Sequence, residues 1–450
     1  MRYESFQERN VVNQARNTGR HYHSYKESVS WLYSLQRFGI KFGLSRTSNL
    51  LKAFGDPHLG QRYIHIAGTN GKGSVGAMLE SILMKSGLKV GFYSSPHLVS
   101  FTERFRINRG FIKKDQAASL IRELRGVVSH KEAPTFFEFT TAMALIYFFH
   151  SNIDVGIVEV GMGGHLDATN VITPVVSIIT NIGLEHQEFL GDNIIDIAKE
   201  KGGIIKEGID LVTAVNQPPV IKLFDSLCRK KGAPFWRVGH NVLYRRLSSG
   251  LLDYYGLRDR YKNLQLGLTG RFQYRNAALA LLALEILKGE GLTISDEAIR
   301  LGLSDLMWPG RLERVSSNPT IILDGAHNPS AMRSLVYSIE TDFDFEQLIL
   351  VLGVMEDKDI SSILKEILPL ADRAIYTRPT YYRAADPRYL MDMAKGFGKA
   401  GEVRFSIPAA IDRARTLADK KDLILITGSL FTVGEVKSYL DPINYPIEDI

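Results

Sequence analysis

The sequence predicts an α/β protein: a large doubly wound domain on a mostly parallel sheet, followed by a smaller C-terminal α/β domain of Rossmann-like design. Three observations carry this. From Tyr63 onward, strand-like and helix-like segments alternate, the pattern of βαβ units. Two of the strand-like segments, IDVGIVEVG and PVVSIITNIG, are nearly unbroken apolar runs, as strands buried on both faces require. A second alternation begins after Trp308-Pro309-Gly310, where proline and glycine punctuate the chain.

The elements follow in order. Residues 1–21 are polar, carry Glu4 and Glu8 and lack an apolar core, so they read as a leader rather than a signal peptide, with the fold starting near Tyr22. Residues 22–305 form the larger domain. YIHIAG is a strand, SVGAMLESILMKSG a helix by its apolar spacing and KVGFYSS a strand again; the two apolar runs come next. Tyr244 to Leu268 reads as further strands near the end of this domain. Residues 306–450 form the smaller one: strand TIILD, a helix from about Ser330, strands QLILVLGVM and ADRAIYT, a helix near Ile411 to Lys420 and strand DLILITG.

Composition narrows the function classes. Of 450 residues, 45% are hydrophobic and 23% charged, which excludes a disordered or collagen-like chain. The longest apolar stretch, Ala142 to Phe149, is under half the ~18–20 residues that cross a bilayer, so the expectation is a soluble, cytoplasmic protein. The single cysteine, Cys228, rules out an internal disulfide or a cysteine-based zinc site and reads as a bystander thiol in the last turn of a helix. The net charge of +6 is scattered rather than gathered into a stripe, which argues against nucleic acid and suits a small phosphate-rich or polycarboxylate ligand.

Several residues carry chemistry. Gly68-Thr69-Asn70-Gly71-Lys72-Gly73-Ser74 lies between a strand and a helix, with glycines to let backbone N–H groups face phosphate oxygens and Lys72 as a point charge. Its spacing is shorter than the common GxxxxGK[ST] pattern. Ser95, after strand KVGFY, offers a hydroxyl to a hard cation such as Mg²⁺, or is simply a turn residue before Pro96. Glu159 ends an apolar strand and His186 follows the next, so both fall on one sheet edge where two side chains can converge on an ion. For Glu159 the bland alternative is a strand-end salt bridge. Lys201, on charge grounds, reads as part of a solvated helix face. Arg311, Asp324 and His327 sit on strand-end loops of the smaller domain, and Asn276 reads as a helix-start cap.

Taken together, GTNGKGS, SSPHL with FTERFRIN, EVGMGGHLDATN, GLEH, EKGGIIK, WPGRLE, DGAHNP and TGSL resemble, in order, the motifs of the Mur-ligase superfamily. The match, from about Tyr25 to Glu435, is to its folylpolyglutamate synthase/dihydrofolate synthase branch. This resemblance implies an ATP-dependent ligase joining L-glutamate to the carboxylate of dihydropteroate and/or (tetrahydro)folate polyglutamates through an acyl phosphate. It implies ATP held by Gly68, Thr69, Asn70, Gly71, Lys72, Gly73 and Ser74 with Asn276, Arg311 and Asp324. Two Mg²⁺ ions would be held by Ser95, Glu159, His186 and Lys201, the last as a carbamate; this identity answers the charge objection at Lys201. Lys72, Lys201 and His327 are the implied catalytic residues. The pterin would lie against Phe42, Gly43, Leu44, Thr135, Phe136, Phe137, Glu138, Leu166, Asp167 and Ala168. The family is typically monomeric, with no nucleic-acid or membrane partner. Three positions depart from its pattern: His165 replaces an arginine, Gly202 an alanine and Phe272 a histidine. The second departure is expected to loosen the Lys201 helix. Two other readings stay open, a ligase acting on folate polyglutamates alone and a P-loop phosphotransferase or nucleotide-binding regulator.

Overall fold

The structure, a computed structural model, describes residues 24–39, 41–129 and 133–448; the expected leader at 1–21 lies outside these residues. The first described helix runs Tyr25–Ser34 and is opened by a capping box in which Ser24 and Glu27 satisfy each other's backbone N–H groups.

The larger sheet has eight strands: β1 (Tyr63–Ala67), β2 (Val90–Tyr93), β3 (Phe105–Ile107), β4 (Gly110–Phe111), β5 (Val155–Glu159), β6 (Val176–Ile179), β7 (Leu211–Thr213) and β8 (Phe235–Arg237). Their spatial order is β4-β3-β2-β5-β1-β6-β7-β8. From β2 to β8 the pairings are parallel, and β3 and β4 add an antiparallel edge. β1 lies between β5 and β6, with Ile66 level with both Glu159 and Ile178. The loops leaving the C-terminal ends of these three strands therefore emerge side by side, at the edge where doubly wound sheets bind ligands.

Every residue of β1, β5 and β6 is buried, because helices cover both faces. Lys72–Lys85 and Phe272–Gly289 pack on one face and Phe136–His150 on the other, the last containing the apolar run Ala142–Phe149. Lys72–Lys85 is enclosed on its far side by Asp296–Ser304. A Cβ at Gly302 would stand 2.6 Å from the Ile82 Cα, so only glycine lets the two helices approach this closely. The segment Tyr244–Leu268 yields β9 (Leu243–Arg246), β10 (Leu252–Tyr255) and β11 (Arg260–Leu264), a three-stranded antiparallel sheet.

The second large sheet comprises β12 (Glu313–Ser317), β13 (Thr320–Leu323), β14 (Leu348–Leu352), β15 (Arg373–Tyr376), β16 (Glu402–Val403) and β17 (Leu423–Thr427), in order β12-β13-β17-β14-β15-β16. Only β12 pairs antiparallel. The helix expected at Ile411–Lys420 runs Ile407–Leu417 instead: the Ser406 hydroxyl caps it by accepting the Ala409 N–H, and Pro408 occupies its first turn. Three further helices, Ile360–Ile367, Pro387–Lys395 and Leu430–Leu440, lie outside the sequence expectation, although the side chains of Asp359, Asp386 and Ser429 cap them.

Candidate active site

The glycine-rich loop is shaped by the end of β6. Gly68 has φ +143°, and a Cβ there would stand 1.9 Å from the Thr180 Oγ1. That hydroxyl donates to the Asn70 carbonyl at 2.6 Å. The Thr69 N–H donates to the Asn181 carbonyl (3.1 Å) and the Asn70 N–H to the Asn181 side chain (2.8 Å). Thr69 Oγ1 donates to the Gly183 carbonyl and accepts from the Gly183 N–H. Gly71, at φ +87°, caps Lys72–Lys85, and a Cβ on it would meet Asn276 Oδ1 at 2.8 Å. Lys72 Nζ folds back onto the Gly68 and Thr69 carbonyls at 2.9 and 3.3 Å. A helix N-terminus, a backbone turn and an ammonium group thus converge on one anion-sized space.

Asn276 is not the helix-start cap expected from the sequence. Phe272–Gly289 starts four residues earlier with Arg271 as its cap. Asn276 is buried on the inward face, and its Nδ2 donates to Gln273 Oε1 at 2.9 Å while its Oδ1 lies against the loop at Gly71.

The cavity in front of the loop is lined by Thr69–Ser74, Ser95, Glu159, His186, Asn276, Arg311, Asp324 and His327. Glu159 is 5% exposed, and among the described residues its one side-chain hydrogen bond is a long one, accepted from the Ser95 N–H at 3.4 Å. No ion pair reaches it among the described residues, so the strand-end salt bridge does not account for it. Burial raises its pKa, against the opposing charges of Lys72 and Arg311. A buried carboxylate this poorly matched is costly to leave bare, and a bound cation would offset that cost. His186, at φ +52°, has its pKa pulled down to about 4, chiefly by burial, so at neutral pH its ring is the uncharged form that binds metals. One carboxylate, one hydroxyl and one neutral imidazole are few ligands, and among the described residues no group of three or more His, Cys, Asp or Glu is gathered tightly enough to hold an ion. Such a sparse oxygen-rich set suits Mg²⁺, which keeps waters and shares phosphate oxygens.

Lys201 does not lie on a solvated face. It is 3% exposed on helix Ile194–Gly202, and its Nζ donates to the Gly68 carbonyl at 3.3 Å. Burial, with the nearby Lys72 charge, brings its pKa down to about 8. The neighbouring Gly202 is the last residue of this helix, and a Cβ there would approach Leu227 Cδ1 of helix Pro218–Lys230 to 2.8 Å. His165 is exposed, its N–H held by the Glu200 carbonyl at 2.8 Å, and Phe272 lines the cavity.

From the smaller sheet, Asp324 closes β13 and accepts the Leu312 and Ala326 N–H groups, both at 2.8 Å. Burial raises its pKa while Arg311 opposes the shift. His327 places Nδ1 on the Gly325 carbonyl (2.8 Å) and Nε2 on Glu185 Oε1 (3.2 Å). Asn328 caps helix Pro329–Asp342 through the Ala331 N–H and exchanges amide hydrogen bonds with Asn70 at 2.9 and 3.3 Å. Burial works against the Glu185 carboxylate, but the His327 hydrogen bond and the surrounding positive charge hold its pKa well below the ordinary range. Glu185 and Asn328 escaped the sequence reading although they lie inside GLEH and DGAHNP; what marks them is contact between residues more than 140 positions apart.

None of the ten pterin candidates lines this cavity. Phe42 and Leu166 are exposed, the Gly43 N–H reaches the Leu166 carbonyl at 3.4 Å, and the Phe42 ring meets Phe189 edge-on. Leu44 precedes helix Ser45–Ala53 as its cap. Thr135 and Glu138 form the capping box of Phe136–His150, and Arg46 pairs with Glu138 at 3.2 Å. Phe136 stacks on Tyr33 with ring centroids 5.3 Å apart, and Phe137 lies beside Tyr93 and Gly161. Asp167 accepts the Met162 and Thr169 N–H groups, and Ala168 is buried.

Known proteins resemble this chain over nearly its whole length. The Mur ligase middle domain family matches residues 66–284, and the Mur ligase glutamate ligase domain family matches residues 310–430. The dihydrofolate synthase/folylpolyglutamate synthase of Bacillus subtilis is 34% identical over 436 residues, covering 93% of this chain and 99% of that protein. The structure of Escherichia coli FolC in complex with DHPP and ADP superposes with a TM-score of 0.84 at 33% identity, covering 93% of this chain and 98% of that one. A bifunctional folylpolyglutamate synthase/dihydrofolate synthase with Mn, AMPPNP and L-glutamate bound gives a TM-score of 0.83 at 30% identity, covering 93% and 100%. No helix among the described residues is long and apolar enough to cross a membrane. With its phosphate loop facing the Asp324–Asn328 segment across one cavity, the chain belongs to the dihydrofolate synthase/folylpolyglutamate synthase family of ATP-dependent Mur ligases.

Proposed function

We propose that this ligase activates the carboxylate of dihydropteroate and/or (tetrahydro)folate polyglutamates with ATP and joins it to the amine of L-glutamate. The observation that carries this reading is the single cavity bounded by the phosphate loop on one side and by Arg311, Asp324 and His327 on the other. The backbone N–H groups at the start of helix Lys72–Lys85, with the Lys72 ammonium, would hold the triphosphate, while Asn276 supports Gly71 from behind. The substrate carboxylate attacks the γ-phosphorus, giving an acyl phosphate and ADP. Lys72 and Arg311 offset charge on the transferring group. The glutamate amine then adds to the acyl carbon, and phosphate leaves as the tetrahedral intermediate collapses.

Mg²⁺, as two ions, would be held by Ser95, Glu159, His186 and a carbamate on Lys201, and supplies Lewis-acid charge neutralisation at the phosphate oxygens. The Lys201 amine, buried and easily deprotonated, is suited to add CO₂. His327, tied to Glu185 and Gly325, would be positioned beside the reacting acyl group. The pterin would lie at Phe42–Leu44, Thr135–Glu138 and Leu166–Asp167–Ala168, where exposed apolar side chains lie next to packed aromatic rings. The enzyme would act as a cytoplasmic monomer.

The test is ATP-, Mg²⁺- and L-glutamate-dependent phosphate release, with dihydropteroate and tetrahydrofolate supplied separately. Turnover with both establishes two ligations, and turnover with tetrahydrofolate alone removes dihydropteroate. Silence with both in a protein that binds ATP refutes the substrate assignment. Lys72→Ala is expected to keep its circular dichroism and lose at least ~10³-fold in kcat.

A further inference from the structure

The chain passes from the larger sheet to the smaller one through Leu306–Gly310 and then returns. After the last helix, Leu430–Leu440, residues 441–448 run back to the first unit. Among the described residues, the hydrogen bonds and ion pair that anchor the return are those of one side chain. The Glu448 carboxylate accepts from Ser100 Oγ at 2.9 Å and Tyr25 OH at 3.3 Å, and pairs with Lys114 Nζ at 3.0 Å. These partners come from helix Tyr25–Ser34, the loop after β2 and helix Lys114–Val127. The Glu448 side chain is only 7% exposed, so this is a seated contact rather than a mobile surface pair. Upstream, the Tyr445 N–H bonds the Asp441 carbonyl and the Tyr445 ring carries the Lys437 ammonium 4.4 Å from its centroid, which holds the return segment to the helix it leaves.

The anchored loop is the one that carries Ser95. Its shape depends on Glu103, which accepts the Leu98, Val99 and Ser100 N–H groups at 2.7–3.0 Å. The same loop presses on the last helix so closely that a Cβ at Gly434 would stand 2.0 Å from the Leu98 carbonyl oxygen. Asp441, Asn444 and Tyr445 also line a second cavity together with Pro96 and His97, and this cavity shares Pro96, Arg311 and Leu430 with the first.

We propose that Glu448 is a positioning residue for the ligase reaction: it fastens the return segment as a strap that holds the two units closed and the Ser95 loop in place before ATP arrives. The inference rests on the proposed binding of ATP between the two units. Removing the fastening shifts the unliganded protein toward open arrangements, and apparent ATP affinity falls with the closed fraction.

The experiment measures the distance distribution between spin labels at Lys52→Cys and Lys365→Cys in a Cys228→Ser background, with titration of a non-hydrolysable ATP analogue. Glu448→Ala is expected to lengthen and broaden the distribution and to raise the analogue Kd about three- to tenfold, the worth of one or two lost hydrogen bonds. Glu448→Gln keeps the neutral hydrogen bonds and should fall between. Lys114→Ala, on an exposed helix end, should reproduce part of the effect without risk to folding, and should add nothing to Glu448→Ala. In the ligase assay the loss should appear in the KM for ATP with kcat kept. An unchanged distance distribution in both Glu448→Ala and Lys114→Ala overturns the strap. Because distance is read without turnover, a failure of the substrate assignment leaves this result standing and is recognised separately.

Discussion

Gly68→Ala tests whether the phosphate loop owes its shape to the end of β6. The new Cβ would be placed 1.9 Å from Thr180 Oγ1 on a backbone at φ +143°, a region essentially closed to L side chains. The unfavourable backbone costs ~1–3 kcal/mol and the displaced Thr180 hydroxyl loses its bond to the Asn70 carbonyl, ~0.5–1.5 kcal/mol, so about 1.5–4.5 kcal/mol is expected in all. Because the strain falls within the phosphate-binding turn, affinity for a non-hydrolysable ATP analogue should drop by more than about tenfold, equivalent to ~1.4 kcal/mol. The assay is isothermal titration beside urea unfolding, for Gly68→Ala, Thr180→Ala and the double variant. With the hydroxyl gone the added methyl loses its worst clash, so the double variant should be markedly better than the two single losses added together. Wild-type analogue affinity in Gly68→Ala, or simple additivity in the double variant, would refute the reasoning.

Lys201→Ala should lose ligase activity that short carboxylic acids partly restore; full activity without them would exclude the carbamate. Gly202→Ala should leave stability within ~1 kcal/mol of the parent, because the methyl meets the movable end of the Leu227 side chain and alanine favours a helix over glycine; a larger loss in chemical unfolding would show that Leu227 cannot give way. Burial pushes the Cys228 thiol up to about 12, with Asp225 adding to it, so the thiolate is scarce at pH 8. Iodoacetamide should label Cys228 only after the protein is denatured, as mass spectrometry of the native and urea-treated protein can check.

Much of this protein is legible along the chain. Buried parallel strands need apolar residues on both faces, so β5 and β6 appear as unbroken runs. The phosphate loop is legible because a turn that points N–H groups at an anion needs glycine at Gly68 and Gly71 and a cation at Lys72, all within seven consecutive residues. Cys228 does lie in the last turn of its helix, as its surroundings suggest, and the structure adds that it is buried. Local signals were also overlooked, as at the helices capped by Asp359 and Asp386, and misjudged, as where the helix before β17 begins and ends.

Other features could be decided only by folding. Lys201 has the sequence surroundings of a solvated lysine, and only the packing of its helix over Gly68 turns it inward. Asn276 looks like a cap until helix Phe272–Gly289 is seen to start at Phe272, which makes it the support behind Gly71. Glu185 with His327, Asn70 with Asn328 and Glu448 with Ser100 are each separated by well over a hundred residues. Their residue types are ordinary, and hydrophobic spacing reports which face of an element is buried but not which distant side chain it will meet. The sequence by itself therefore determined the buried strands and the phosphate loop, because short-range sterics and burial write themselves into neighbouring residues, and its ordered motifs pointed to the class of chemistry by resemblance. The tertiary structure alone decided which charges are buried together across the cavity, because that depends on contacts that exist only once the two sheets face each other.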